Sequence, residues 1–214
     1  MPGELIVTHE VAPLPDRHPD AHKGDVGRVV IIGGCNGDTL MVGAPALAAN
    51  AALRSGAGLV QILVPVELRE SVCMLAPCAT ARTLPNSPQE ILQCATDYAA
   101  DVLAVGPGLG RTLTAEAIVQ LLDAFDGPCV VDADALNMLA ALPRGDKVGW
   151  PIHEPYRVVL TPHPGEARRL LDAFGISKAI ESTAHSRRAA ACALVEATGC
   201  TIVLKGHGTV VTNG

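Results

Sequence analysis

The sequence predicts an α/β fold with a mostly parallel central sheet and helices on both faces. Three observations lead there. Six short apolar runs recur along the chain: RVVIIGG, GLVQILVP, DVLAVGPG, PCVVDAD, RVVLTP and CTIVLKG. None alternates cleanly with polar residues, so each reads as a strand covered on both sides. Ala- and Leu-rich helical patterns lie between them, and strands alternating with helices build parallel βαβ units and a doubly wound sheet.

The first 27 residues are rich in Pro, His and Asp and read as an irregular lead-in. The first strand pattern starts at Arg28, and a helix over Pro45–Ser55 closes on Gly56, a residue suited to a C′ position. From Thr114, Ile118, Leu121, Leu122 and Phe125 repeat at i, i+3, i+4 and i+7, with Glu116 in the favourable first turn. Further helices are expected over Ala135–Leu142, after Glu166, and from about Ser186 to Thr198 ahead of Gly199. The stretch Pro143–Pro155 is broken by Pro and Gly and reads as a surface loop. The whole of 1–214 is expected to be one domain.

Composition narrows the function. Sixteen basic residues against 22 acidic ones give a net charge of −6 with no basic cluster, so neither nucleic acid nor an anionic membrane is an expected partner. No apolar run approaches the roughly 20 residues that span a bilayer, and the N-terminus lacks a signal-peptide layout. The seven cysteines are scattered without a C-x-x-C, and Cys35, Cys129 and Cys200 fall in or beside strand-like runs as small hydrophobes. A cytoplasmic protein is expected.

Ligands of open α/β sheets bind beyond the carboxyl ends of the strands. After the first strand comes GGCNGD. It is not G-x-G-x-x-G, and no acidic residue ends the second strand, which disfavours a dinucleotide Rossmann site. The third run ends in GPGLG, Gly106–Gly110, whose bare backbone can approach a ligand and offer amides to an anion. The fourth ends in DADAL. Asp132 and Asp134 share a side while the chain is extended, and suit magnesium, a ribose or proton transfer. Asp134 is expected to cap the following helix and Asp132 to serve the site. The fifth ends in TPHPGE, where Pro162 and Pro164 hold His163 rigidly and Glu166 meets the positive end of a helix dipole. The last ends in KGHGT: Lys205, Gly206, His207, Gly208 and Thr209 combine a point charge, amides and a hydroxyl, a set suited to phosphate. It is not a Walker A loop; a second apolar run, TVVTN, follows and implies a hairpin.

Taken in order, LPDRHPDAHKGDVGRVVIIGG, GAPALAANAALRSGAGLVQILVP, VGPGLG, VVDADALNML, LTPHPGE and IVLKGHGTVV resemble the ADP/ATP-dependent NAD(P)H-hydrate dehydratases over nearly the whole chain. These proteins belong to the ribokinase-like superfamily, so the resemblance implies a ribokinase-like three-layer fold. It implies dehydration of the S form of hydrated NADH or NADPH, driven by phosphoryl transfer from ADP or ATP with Mg2+. By that likeness Ala44, Gly108 and His163 would contact the hydrated dinucleotide, and Lys205 to Thr209 the adenine nucleotide. Glu166 and Asp132 are the candidate metal ligands. The family continues into a G-x-G-D turn whose Asp activates the substrate hydroxyl. Residues 1–214 hold no G-x-G-D, so the catalytic aspartate is expected beyond Gly214. The 214 residues are therefore expected to bind both nucleotides as a truncated domain, with no catalytic base assigned, and exposed sheet surface would favour a homo-oligomer. Two other readings stay open: a ribokinase-like kinase for a vitamin precursor, and a nucleotide-binding protein without turnover.

Overall fold

The computed structural model describes residues 13, 16–142, 150–178, 180 and 183–214. An eight-stranded sheet comprises β1 (Arg28–Ile32), β2 (Leu59–Val64), β3 (Thr80–Thr83), β4 (Val102–Val105), β5 (Cys129–Val131), β6 (Val158–Leu160), β7 (Thr201–Leu204) and β8 (Val210–Thr212). Its order is β3-β2-β1-β4-β5-β6-β7-β8. Every pairing is parallel except β7 with β8, an antiparallel hairpin around the KGHGT turn. The helices are α1 (Gly43–Arg54), α2 (Arg69–Leu75), α3 (Pro88–Asp97), α4 (Ala115–Ala124), α5 (Ala133–Ala140), α6 (Pro164–Ala173) and α7 (Ala184–Thr198).

Strand order reverses between β1 and β4, and the helices divide there. Ala46 and Ala49 of α1 and Val72 of α2 pack on Ile31, Val60, Ile62 and Val64 of one sheet face. On the other face, α3 to α7 cover Val30, Ile32, Leu103, Val105, Val131, Leu160, Ile202 and Leu204. These are the helices on both faces that the sequence predicts. Along β4 to β7, however, burial alternates although the residues do not: Leu103 and Val105 are buried while Val102 and Ala104 are half-buried. Val102, Ala104 and Val130 instead line an open apolar furrow beside α1. Full burial of these strands on both sides is thus corrected to one covered face and one open half.

Two helices escape the sequence reading. α3 is capped by Ser87, which accepts from Glu90 N, with Pro88 in the first turn; α2 has no side-chain cap. The C-terminal stop of α7 is as expected, Gly199 adopting φ 70°. Residues 143–149 of the expected loop lie outside the described residues. Among the described residues no helix is long and apolar enough to cross a membrane.

Candidate functional site

Ladder hydrogen bonding runs past the strand ends and gathers the motif loops along one edge. Gly34 N donates to Pro107 O at 3.0 Å and Gly106 N to Ile32 O at 3.0 Å, zipping the loops after β1 and β4 across the point where strand order reverses. Asp132 N, Thr161 N and Lys205 N continue the series to Val105 O, Val131 O and Pro162 O. At Gly33 a Cβ would collide with Pro107 O, so the crossing needs glycine. Gly108, at φ 61°, lies with its missing Cβ 3.2 Å from Ala44 Cβ and 2.9 Å from Met41 Cβ. Two of the residues expected to meet the dinucleotide are therefore adjacent, one on the Gly-rich loop and one at the start of α1. A groove of about 760 Å3 opens beside them, lined by Asn36 to Thr39, Glu67, Gly110 and Arg111. A comparable hollow lies between the Asp16–Gly27 lead-in and Ser55–Ala57, lined by none of the glycine-rich turns.

At DADAL the expected roles change places. α5 begins at Ala133, two residues earlier than expected, so Asp132 is the last extended residue and its N-cap. Its Oδ1 accepts from Ala133 N at 2.8 Å, and Ala133 takes the unusual φ of 52°. Asp132 Oδ1 also receives Lys205 Nζ at 2.5 Å. Asp134 is no cap: its Oδ2 accepts from Gly110 N at 2.8 Å and fastens the GPGLG loop. The i, i+2 spacing was the only trace of that tie in the sequence.

His163 is the N-cap of α6 in a capping box with Glu166. Its Nδ1 accepts from Gly165 N at 2.9 Å, which places the ring proton on Nε2, facing Glu166 Oε1 at 3.2 Å. Glu166 Oε2 accepts from His163 N at 2.7 Å, and the residue is only 5% exposed. Both oxygens of Glu166 thus serve His163, fixing its tautomer and direction. The two candidate metal ligands thus stand in different settings: Glu166 has a partner on each oxygen, whereas Asp132 takes both of its partners on Oδ1. Among the described residues no three His, Cys, Asp or Glu side chains are grouped to hold a metal ion.

In the β7–β8 turn, Gly206 and Gly208 take φ of 138° and 67°, and His207 is exposed. Thr209 Oγ1 donates to Gly206 O at 3.0 Å, so its proton braces the turn instead of pointing to a ligand as expected. Beyond β8 the chain reaches Gly214. Gly214 N donates to Thr212 Oγ1 at 3.3 Å, and a Cβ there would lie 3.7 Å from Val195 Cγ1 of α7.

The family model for NAD(P)H-hydrate dehydratase matches residues 29–214. This chain belongs to the NAD(P)H-hydrate dehydratase family. A bifunctional NAD(P)H-hydrate repair enzyme of Escherichia coli is 43% identical over 201 residues, which cover 92% of this chain and 34% of that protein. The chain spans about a third of the length of the relatives it matches. Among solved structures, a ribokinase-like superfamily protein from Enterococcus faecalis superposes with a TM-score of 0.70 at 28% identity, covering 93% of this chain and 64% of that one. The ADP/ATP-dependent NAD(P)H-hydrate dehydratase of Bacillus subtilis, co-crystallised with ATP and Mg2+, gives a TM-score of 0.66 at 29% identity, with 93% and 65% covered. The chain therefore has the ribokinase-like architecture.

Proposed function

We propose that these residues form the nucleotide-binding part of an enzyme that dehydrates the S form of hydrated NADH or NADPH at the expense of ADP or ATP. Family membership supports the reaction class. The observation that carries the reading to this chain is the spacing of two distinct sites along one sheet edge. The Ala44–Gly108 contact sits where strand order reverses, and the Lys205 turn lies three strands away with its cation already in place.

In this reading the hydrated nicotinamide lies over Gly108 and Ala44, where absent side chains let the ring approach backbone. His163, held by Glu166, closes the far side. The adenine nucleotide lays its phosphates on the Lys205–Thr209 turn, and magnesium, held through Asp132 and the phosphates, would neutralise their charge. The substrate hydroxyl gives up its proton to a base as its oxygen takes the terminal phosphoryl group from ADP, leaving AMP; the carbon–oxygen bond then breaks to release phosphate, and the neighbouring ring carbon loses a proton to solvent to give NADH. Positioning is the contribution of these residues; no residue of the 214 is assigned as the base.

The test supplies the full natural protein with hydrated NADH, ADP and magnesium. Recovery of reduced-nicotinamide absorbance, with one phosphate released per NADH, is expected. Phosphorylation of a thiazole or pyrimidine alcohol without that recovery would establish the kinase reading, and ADP binding without either turnover the non-catalytic one.

A further inference from the structure

The Lys205–Thr209 turn rests on a side chain from outside it. Arg187, near the start of α7, is 6% exposed. Its Nη2 donates to Leu204 O at 3.1 Å and Lys205 O at 2.8 Å. A Cβ on Gly206 would fall 2.5 Å from Nη1, so the guanidinium lies against the turn, and the φ of 138° disfavours any side chain there. Arg187 Nε is buried without a hydrogen-bond partner, and among the described residues no carboxylate pairs with this side chain.

A buried guanidinium without a counter-ion is costly, and carbonyl oxygens supply dipoles but no net charge. Lys205 is different, because Asp132 already matches it. Among the described residues, the positive charge left unmatched at this turn is therefore that of Arg187. The carbonyl bonds also set direction. In a trans peptide the C=O and N–H point opposite ways, so holding Lys205 O against Arg187 turns Gly206 N–H to the other, open side.

We propose that Arg187 is the buried cation of the nucleotide site: it aims the turn's amide outward, and a nucleotide phosphate seated on the turn supplies its missing counter-charge. The inference rests on reading Lys205 to Thr209 as the phosphate turn.

Calorimetric titration of the full natural protein with ADP and with adenosine tests it. Arg187→Gln is expected to weaken ADP at least about tenfold and adenosine less than about twofold. Arg187→Lys should fall between, since the ammonium keeps the charge but not the rigid planar guanidinium. Lower thermal stability with an unchanged ADP-to-adenosine ratio would overturn the inference by reducing Arg187 to a packing residue. Should both Arg187 variants fail to fold, Gly206→Ala keeps the arginine and displaces the turn; the same selective loss of ADP supports the proposal, and an unchanged ratio overturns it. A wild-type protein that does not prefer ADP to adenosine would remove the phosphate-turn reading itself, and this inference with it.

Discussion

Lys205 Nζ and Asp132 Oδ1 meet at 2.5 Å, tying the carboxyl end of β7 to that of β5 across β6. Asp132 cannot swing away freely, because the same oxygen caps α5 at Ala133. The pair holds the lysine in place, and an incoming phosphate must compete with the carboxylate for it. In Asp132→Asn the cap acceptor survives while that competition disappears. Half-exposed pairs are worth about 0.2–1 kcal/mol, so ADP measured without magnesium should bind up to about fivefold more tightly. Weaker binding in the absence of magnesium would show that Asp132 helps to seat the nucleotide directly.

Gly108→Ala tests the other end of the edge. The φ of 61° costs an L-residue about 1 kcal/mol, and the new methyl would press on Met41 and Ala44. Urea denaturation should report a loss of about 1–3 kcal/mol. Affinity for hydrated NADH should fall about tenfold or more, with ADP affinity unchanged.

Glu166→Gln separates shape from charge at His163. The amide can accept from only one of the two N–H groups that Glu166 serves, and its NH2 would meet the Nε2 proton. Stability should drop by about 1–3 kcal/mol in denaturant titration, and affinity for the hydrated dinucleotide should fall. Unchanged affinity would place His163 outside that site.

Two buried thiols set a pH dependence. Burial pushes Cys129 up to about 11 and Cys200 up to about 12 from the ordinary 9.0. Folding therefore binds these protons more tightly than the unfolded chain does. Their contribution is fully present below pH 9 and is lost as pH rises towards 11 to 12. Denaturation midpoints should fall through that range, and in Cys129→Ala/Cys200→Ala the alkaline slope should flatten. At pH 8, thiol reagents should modify exposed Cys78 well before either buried cysteine.

The strands most legible in the sequence are β1, β2 and β4 to β7, which are built mostly of Val, Ile and Leu. β3, with the sequence TART, is an edge strand with three exposed residues, and nothing apolar marks it. α3 carried its signal in Ser87, Pro88 and Glu90, a side-chain cap that the apolar pattern alone does not reveal. The site divides the same way. Glycine-rich turns announce themselves locally, whereas Lys205 and Asp132 stand 73 residues apart and meet only through strand order. Arg187 left a fainter trace: it shares the helical stripe of Ala190, Ala191, Leu194 and Val195, all buried, so its place on the apolar face of α7 was written in the period. Its neighbour Arg188 falls off that stripe.

The central claim is that two nucleotides bind side by side on one sheet edge, each to its own loops. Simultaneous titration of the full natural protein with hydrated NADH and ADP tests it most directly, using Gly108→Ala and Lys205→Met as probes. Both ligands should bind together, with Gly108→Ala removing only the hydrate and Lys205→Met removing only ADP. Mutual exclusion of the two ligands, or loss of both from either substitution, would contradict it.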